Sequence, residues 1–262
     1  MAGQFCWVEL LTKGVDAAQG FYGHVLGWTF AAPGHTDHDY RVISTGGQGV
    51  ARQDLGGMME LPAEAEAMGA RPAWMGYIYS DDVDADVQKI VADGGKLYRP
   101  AETLPEIGRF AIVTDPQGAV FVLFTDLSGK KRDDAPRASG QGFGNVGWHE
   151  LYAEDLDSAF AFYAKHFGWT RGEAFDMGPM GLYQLFATGG EAVGGMMRRP
   201  ETVPKPFWAY YFTVPALDAA LVRVTERGGQ VLNGPQEVPG SLWIAQCLDP
   251  QGAFFALLAD KR

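Results

Sequence analysis

The feature that most constrains this chain is the match between its first and second halves. Aromatic, acidic and glycine positions return at a nearly constant shift, in three clear pairs: Trp7-Val-Glu9 with Trp148-His-Glu150, Trp74 with Trp208, and Asp115-Pro-Gln-Gly-Ala119 with Asp249-Pro-Gln-Gly-Ala253. A chain that matches itself in this way is a tandem duplication. The sequence therefore predicts two domains, residues 1–128 and 143–262, joined by a linker over 129–142.

The stretch 148–170 shows how each half is built. It opens as a strand, with Trp148, Glu150 and Tyr152 on one face, and Asp155 then offers a carboxylate to cap the first turn of a helix. Apolar residues follow at the spacing of one buried helical face, and Gly168 closes the helix because glycine adopts left-handed backbone easily. Similar patterns in three other places predict an α+β fold of four β-α-β-β-β modules, paired into two domains.

Composition excludes several classes of partner. The net charge of −11 argues against a surface for nucleic acid or for an anionic membrane. No apolar run is long enough to span a bilayer, and the first ten residues lack the build of a signal peptide. We therefore expect a cytoplasmic protein, with a small molecule as its partner. Cys6 and Cys247 are too few for a disulfide scaffold.

The motifs that return in both halves resemble those of a known superfamily. Trp-x-Glu-Leu, Phe-Tyr, Gly-Trp and Asp-Pro-Gln-Gly-Ala together resemble the vicinal oxygen chelate superfamily, which includes glyoxalase I, bleomycin-resistance proteins and extradiol dioxygenases. The tandem form looks like glyoxalase-like proteins that are often labelled hydroxylases. The resemblance implies that each pair of modules curls eight strands into a half-open barrel around a small-molecule cup. It says little about chemistry, because this fold hosts many activities.

The resemblance also implies where a metal ion would be held. The metal-dependent members use a histidine on the first strand, a histidine at the start of the next module, and a glutamate after the Asp-Pro-x-Gly turn. At these places the chain has Trp7 and Trp148, then Trp74 or Met75 and Trp208 or Ala209, and then Val122 and Ala256. Indole, thioether and alkyl groups cannot replace imidazole or carboxylate around such an ion. We therefore expect neither a metal nor another cofactor.

Glu9 and Glu150 are the candidate catalytic residues. Each lies two positions after a tryptophan, so both side chains share one strand face, which the resemblance implies is the cup side. A carboxylate beside an indole in an apolar cup would have a raised pKa and could act as an acid or base. Alternatively, each glutamate holds neighbouring strands together by bonding to the backbone or to an arginine.

Aromatic residues on predicted strands are the candidate ligand-binding groups. Such residues are more often core than cofactor site, but a tryptophan-lined cup suits an aromatic or polyketide-like molecule. The candidates are Trp7, Tyr40, Trp74, Trp148, Tyr183, Trp208 and Trp243.

Arg109 is a further candidate ligand-binding residue. Its guanidinium could clamp a carboxylate or phosphate, or it could form an ion pair with Glu9 or Glu106. The second half has Trp243 at the matching position, so the two cups are expected to differ. His149 is expected to point away from the cup, at the surface or at a domain interface.

Three functions remain open from the sequence. The first is a metal-free protein that sequesters or carries a small metabolite. The second is an enzyme, such as a hydroxylase, isomerase or lyase, that uses Glu9 or Glu150 for proton transfer or holds a metal at a non-standard site. The third is a structural protein whose cups are filled by its own side chains. Since the second domain can replace the partner of a dimer, we expect a monomer.

Overall fold

The computed structural model describes residues 3–32, 39–46, 53–128 and 142–262. Nearly all of the predicted linker, residues 129–141, lies outside them. The first half contains β1 (Phe5–Thr12), α1 (Val15–Leu26), β2 (Thr29–Ala31), β3 (Arg41–Thr45), β4 (Gln53–Glu60), α2 (Ala63–Ala67), β5 (Ala73–Tyr79), α3 (Val83–Ala92), β6 (Lys96–Leu104), β7 (Gly108–Thr114) and β8 (Val120–Asp126).

The second half repeats this order without the short helix α2. It contains β9 (Val146–Ala153), α4 (Leu156–Phe167), β10 (Thr170–Asp176), a 3-10 turn (Gly178–Met180), β11 (Leu182–Ala187), β12 (Ala192–Arg198), β13 (Phe207–Thr213), α5 (Leu217–Glu226), β14 (Gln230–Val238), β15 (Leu242–Leu248) and β16 (Phe254–Ala259). The prediction of four β-α-β-β-β modules is confirmed.

The strands form two curled eight-stranded sheets, one in each half of the sequence. Their orders are β2-β3-β4-β1-β5-β8-β7-β6 and β10-β11-β12-β9-β13-β16-β15-β14. In every module the first strand pairs in parallel with the last, because the helix between them carries the chain back to the same edge. The α+β class and the tandem arrangement are therefore confirmed, while the domain boundaries at 128 and 143 stay a prediction.

The compact units of the chain do not follow its two halves. One unit comprises the described residues within Met1–Cys6, Gly76–Ala138 and His149–Trp208; the other comprises those within Trp7–Met75, Ser139–Trp148 and Ala209–Arg262. Helices from opposite halves pack together inside each unit, α3 with α4 in the first and α1 with α5 in the second. Each unit therefore needs elements from both copies of the repeat.

The helix ends follow the local sequence. The Asp155 side chain accepts a hydrogen bond from the backbone N–H of Ser158 at 2.9 Å, and Gly168 ends α4 with a φ of 68°. Asp82 caps α3 in the same way, and Gly27 ends α1 with a φ of 70°. Among the helices that the structure describes, none is long and apolar enough to cross a membrane.

Candidate functional site

Glu9 lies on a strand face that its neighbours leave partly open. Trp7 and Glu9 share one face of β1, and the other face carries Val8 and Leu10, which are buried. Glu9 pairs across the sheet with Gly57 of β4. Because Gly57 has no side chain, the position opposite Glu9 leaves room for a ring from a neighbouring segment.

The ring of Tyr40 occupies the space above Gly57. A Cβ added to Gly57 would lie 2.0 Å from the Tyr40 hydroxyl, so only glycine permits this packing. Trp7 and Tyr40 are both half-buried, whereas Glu9 is 7% exposed. We call these four residues, Trp7, Glu9, Tyr40 and Gly57, the Glu9 wall.

Hydrogen bonds connect the polar atoms of the Glu9 wall. Trp7 Nε1 donates to the Tyr40 hydroxyl at 3.1 Å, and that hydroxyl donates to the Glu9 carboxylate. Burial, followed by the negative charge of Glu9, raises the pKa of Tyr40 well above its usual value. Tyr40 is therefore neutral at physiological pH and presents its proton to the carboxylate.

The second half repeats this arrangement in the other compact unit. Glu150 pairs with Gly195 of β12, and a Cβ on Gly195 would lie 2.4 Å from the Tyr183 hydroxyl. Glu150 is 6% exposed. We call Glu150, Tyr183 and Gly195 the Glu150 wall; Trp148 precedes it on the same face of β9 and is half-buried.

Trp74 and Trp208 do not belong to these walls. Trp74 is buried, and its Nε1 donates to the Tyr22 hydroxyl of α1 at 3.0 Å. Trp208 does the same with the Tyr163 hydroxyl of α4 at 2.9 Å. The structure therefore places these two predicted ligand-binding tryptophans in aromatic clusters between a helix and a strand, where each N–H group already has a partner.

The aspartates of the two Asp-Pro-Gln-Gly turns complete these clusters. Tyr163 donates to Asp115 Oδ2 at 3.2 Å, and Asp115 Oδ1 accepts the backbone N–H groups of Gln117 and Ala119, both at 2.9 Å. In the other unit, Tyr22 donates to Asp249 at 3.1 Å. Burial raises the pKa of both carboxyl groups, and the backbone hydrogen bonds oppose this.

The glutamine of each turn extends the contact to a helix from the opposite half. Gln117 Nε2 donates to the carbonyl of Asp155 at 2.8 Å, and its Oε1 accepts the N–H groups of Glu154 and Asp155 at 2.6 and 2.9 Å. Gln251 Nε2 likewise donates to the carbonyl of Gly14, before α1, at 3.0 Å. The sequence predicts these turns but not the helix starts that their glutamines contact. The one available signal was that the turn motif and the helix start both return in the second half.

Arg109 is held on the helix side of its sheet. Its Nε and Nη2 donate to the two oxygens of Asp84 in α3 at 2.6 and 2.7 Å, and its Nη1 donates to Thr103 at 2.8 Å. Arg109 lowers the pKa of Asp84. The ion pair that the sequence predicted with Glu9 or Glu106 forms with Asp84 instead.

Trp243 occupies the position of Arg109 in the second half, and the chain supplies a guanidinium there from elsewhere. Arg262 donates to Asp218 of α5 at 3.2 Å, and its Cζ lies 5.3 Å from the centre of the Trp243 ring. Asp218 matches Asp84 in the repeat. In both halves a guanidinium therefore pairs with an aspartate of the neighbouring helix, although it comes from Arg109 in the first half and from Arg262 in the second.

His149 was expected at the surface or at a domain interface; it is buried, and it contacts a residue from the other half of the sequence. Its ring stacks on Phe5 with a centroid distance of 3.9 Å, and its Nδ1 lies 3.1 Å from the Val193 carbonyl. Burial lowers the pKa of His149 to about 4, although the bond to Val193 opposes this. His149 is therefore neutral at physiological pH, with Nδ1 donating.

Comparison with known proteins shows the family of this chain. The model of the Glyoxalase/Bleomycin resistance protein/Dioxygenase superfamily matches residues 145–257, and that of the Bleomycin resistance protein-like N-terminal family matches residues 4–46. The chain is 32% identical to "Putative glyoxylase CFP32" of Mycobacterium bovis over 259 residues, covering 96% of this chain and 93% of that protein. It belongs to this superfamily.

Other proteins are similar over the whole chain. "Anthracycline biosynthesis protein DnrV" of Streptomyces peucetius is 29% identical over 268 residues, covering 98% of this chain and 93% of that protein. The Mn(II)-bound glyoxalase from Novosphingobium aromaticivorans has a TM-score of 0.66 at 16% identity, covering 100% of this chain and 83% of that one. The 2,3-dioxygenase LapB from Pseudomonas sp. KL28 has a TM-score of 0.64 at 14% identity, covering 99% and 93%. These structures share the fold.

The side chains at the positions expected for the superfamily's metal ligands are held in other contacts. The N–H groups of Trp7 and Trp74 donate to tyrosine hydroxyls, and an indole has no lone pair to offer a metal. Val122 presents an alkyl group, fully buried and paired with Tyr77. Within the part of the chain that the structure describes, no group of three His, Cys, Asp or Glu side chains is placed to hold a metal.

Proposed function

We propose that this superfamily member binds a small aromatic or apolar metabolite at the Glu9 and Glu150 walls, and that it does so without the metal of its metal-dependent relatives. The Glu9 wall carries the proposal, because two half-buried aromatic rings there flank one buried carboxylate. Flat apolar surface with one polar group is the usual composition of a small-molecule site.

The names of relatives support an aromatic ligand. DnrV is named for anthracycline biosynthesis, and anthracyclines are polycyclic aromatic compounds. LapB, which shares the fold, is a 2,3-dioxygenase. A polycyclic ligand would stack on Trp7 and Tyr40, since aromatic faces contribute large apolar contacts with a defined geometry.

The second candidate function is catalysis by proton transfer. The observation that favours it is the hydrogen bond from Tyr40 to Glu9, which places a phenol proton against a carboxylate on a partly open face. A carboxylate held in this way can take a proton from a bound ligand, as general bases do. The reaction would then be of the isomerase, lyase or hydroxylase-like kind, with Glu9 or Glu150 as the base.

Binding of polycyclic aromatic compounds tests the first function. Daunomycinone and related aglycones would be titrated into the protein by calorimetry, with Trp7→Ala as the test variant and Trp243→Phe as the control. We expect binding that Trp7→Ala weakens at least tenfold, because an anchoring tryptophan dominates such sites. Absence of binding by the whole panel would contradict the proposal.

Elemental analysis and turnover separate the two functions. Protein purified without added metal is expected to carry less than one equivalent of Mn, Fe, Ni or Zn per domain, and to return the bound ligand unchanged. Chemical change of the ligand that Glu9→Gln abolishes would favour the enzyme instead.

The expectations about partners have their own tests. Light scattering should show a monomer, and titration with duplex or single-stranded DNA should show no complex.

A further inference from the structure

We infer that the contact between α3 and α4 is an acid-sensitive switch, and that its opening weakens ligand binding at the Glu150 wall. The contact joins the two copies of the repeat inside one compact unit, because α3 belongs to the first copy and α4 to the second. We call Asp93, Lys165 and His166 the α3–α4 junction. The effect on ligands rests on the proposed function, whereas the switch itself does not.

His166 brings a buried imidazole to the α3–α4 junction. Its side chain is 4% exposed, its ring lies 4.5 Å from the ring of Phe162, and its Nε2 lies 2.9 Å from Asp93 Oδ2. Lys165 Nζ lies 2.5 Å from the same oxygen, and the Lys165 side chain is 66% exposed. One carboxylate oxygen at the end of α3 therefore meets two basic side chains of α4, one buried and one in water.

The charged groups around His166 come from both helices. Burial lowers the pKa of His166; Asp93 and Asp86 on α3 raise it only in part, and Lys165 lowers it further. Asp86 also binds Lys89, at 2.8 Å. The hydrogen bond from Lys165 lowers the pKa of Asp93 below its usual value, so this carboxylate stays ionised in mild acid.

Protonation of His166 should open the α3–α4 junction. Because the pKa of His166 is lower in the folded protein than in an unfolded chain, where it is about 6.5, folding favours the neutral imidazole. The stability that this provides is complete above about pH 6.5 and is lost as the pH falls below that value. A protonated ring would be a second cation beside Lys165, placed where water does not reach it, and opening of the junction hydrates it.

The first copy of the repeat shows that the fold does not need a histidine at this position. In the alignment that pairs Trp7 with Trp148, His166 matches Val25 of α1, which is 1% exposed. The matching helix contact joins α1 to α5, and there Arg223 donates to the Val25 carbonyl at 3.0 Å. Valine therefore fills the same buried position in the other compact unit, without a group that titrates.

Helix α4 connects the α3–α4 junction to the Glu150 wall. It packs on α3 at the junction and on β12, the strand that carries Gly195 of that wall. The Tyr183 ring lies directly over Gly195, where even a Cβ would have no room. Since closely packed elements transmit displacements, a movement of α4 would disturb the packing of this ring. Ligand affinity at the Glu150 wall should therefore fall in mild acid.

Hydrogen exchange measured by mass spectrometry tests the switch without a ligand. The α4 amides would be compared at pH 7 and pH 5, after correction for the intrinsic pH dependence of exchange. We expect their protection to fall at least about threefold more in the wild type than in His166→Val or in His166→Gln. His24→Gln, which removes a histidine from α1 in the other unit, should behave as the wild type. Equal losses in the wild type and both His166 variants would overturn the inference.

Ligand affinity tests the effect on the Glu150 wall. Trp7→Ala weakens the Glu9 wall, so calorimetry with the aglycones on Trp7→Ala and on the double variant Trp7→Ala/His166→Val reports on the Glu150 wall. Between pH 7 and pH 5, the affinity should fall at least about threefold more in the first protein than in the second. Equal falls would overturn the regulation of this wall. If hydrogen exchange reveals the switch but no aglycone binds at any pH, the proposed function is wrong and the switch stands.

Discussion

The hydroxyl of Tyr22 donates a hydrogen bond to Asp249, which lies 227 positions later in the chain. Trp74 donates to the same hydroxyl, so a helix, a strand and a turn from both sequence halves meet at one atom. Tyr163 and Asp115 form the matching contact in the other compact unit. Each unit is therefore closed by a buried polar trio that neither half contains alone.

Removal of the Tyr22 hydroxyl should destabilise the protein. Tyr22→Phe leaves Asp249 Oδ2 without its tyrosine donor and the Trp74 indole without its acceptor, and a buried polar group without a partner costs about 1–3 kcal/mol. We expect the free energy of unfolding in urea to fall by about 2 kcal/mol. Tyr98→Phe, which alters an exposed ring, should change it by less than about 0.5 kcal/mol. Equal values for the two variants would contradict the role of the trio.

Acidification should destabilise the protein through His149. The pKa of His149 is about 4 in the folded protein and about 6.5 in an unfolded chain. Because the folded value is the lower one, the neutral form is favoured by folding, and its stability contribution is complete above the unfolded pKa. It is lost as the pH falls from about 6.5 to about 4, with about 2 kcal/mol lost by about pH 5.

His149→Val tests this dependence. Valine is the residue at the matching position of the first half, Val8, and it cannot be protonated. We expect the difference in unfolding free energy between pH 7 and pH 5 to be smaller in the variant by about 2 kcal/mol. Between pH 7 and pH 8, where the imidazole is neutral in both states, the two proteins should show the same slope. An unchanged difference at low pH would contradict the assignment to His149.

Filling the space at Gly57 should disrupt the Glu9 wall. The Cβ of Gly57→Ala would lie 2.0 Å from the Tyr40 hydroxyl, so the ring must move and its bond to Glu9 is lost. We expect ligand affinity to fall about tenfold and stability to fall by about 1–3 kcal/mol.

A second glycine provides the control for Gly57. Gly20 lies in α1, and a Cβ there would meet nothing within 4 Å. Gly20→Ala should raise stability by about 0.5–1 kcal/mol, since alanine loses less conformational entropy in a helix. A Gly57→Ala variant that binds ligand as the wild type does would show that the position of Tyr40 is unimportant for recognition.

Loss of Arg109 should leave ligand binding intact. Its guanidinium is paired with Asp84 on the helix side, so Arg109→Ala should change the affinity of a bound aromatic compound by less than about twofold. Tyr40→Phe, by comparison, should weaken binding measurably because Glu9 loses its donor. Calorimetric titration of both variants distinguishes them, and a large loss with Arg109→Ala would restore the sequence hypothesis of an anion clamp.

Local patterns were enough to predict the elements of the fold. Asp155 and Gly168 begin and end α4 where capping chemistry requires, since both effects act within one helical turn. Because the chain repeats, the same prediction of strand, helix and strands applied to the other modules. The faces of Trp74 and Trp208 could not be predicted in the same way, because their partners are far away in sequence and belong to other elements.

The Glu9 wall was predicted in part. The alternation of a strand places Trp7 and Glu9 on one face, and Tyr40 was a candidate for the same site. Gly57 was not among the candidates, although a glycine within a strand often marks a close approach of another backbone or ligand. The approach of Tyr40 to Gly57 depends on the register between β3 and β4, which no local pattern specifies.

The exchange of aspartate and tyrosine between the copies has an evolutionary consequence. A mutation that removes Asp249 affects a tyrosine encoded in the other copy, so the two copies are selected together rather than separately. Deletion of either copy would leave one tyrosine and one aspartate that have lost the hydrogen bond between the copies. Two identical single-copy chains could restore it by pairing, so the ancestral gene product before duplication is expected to have been a dimer.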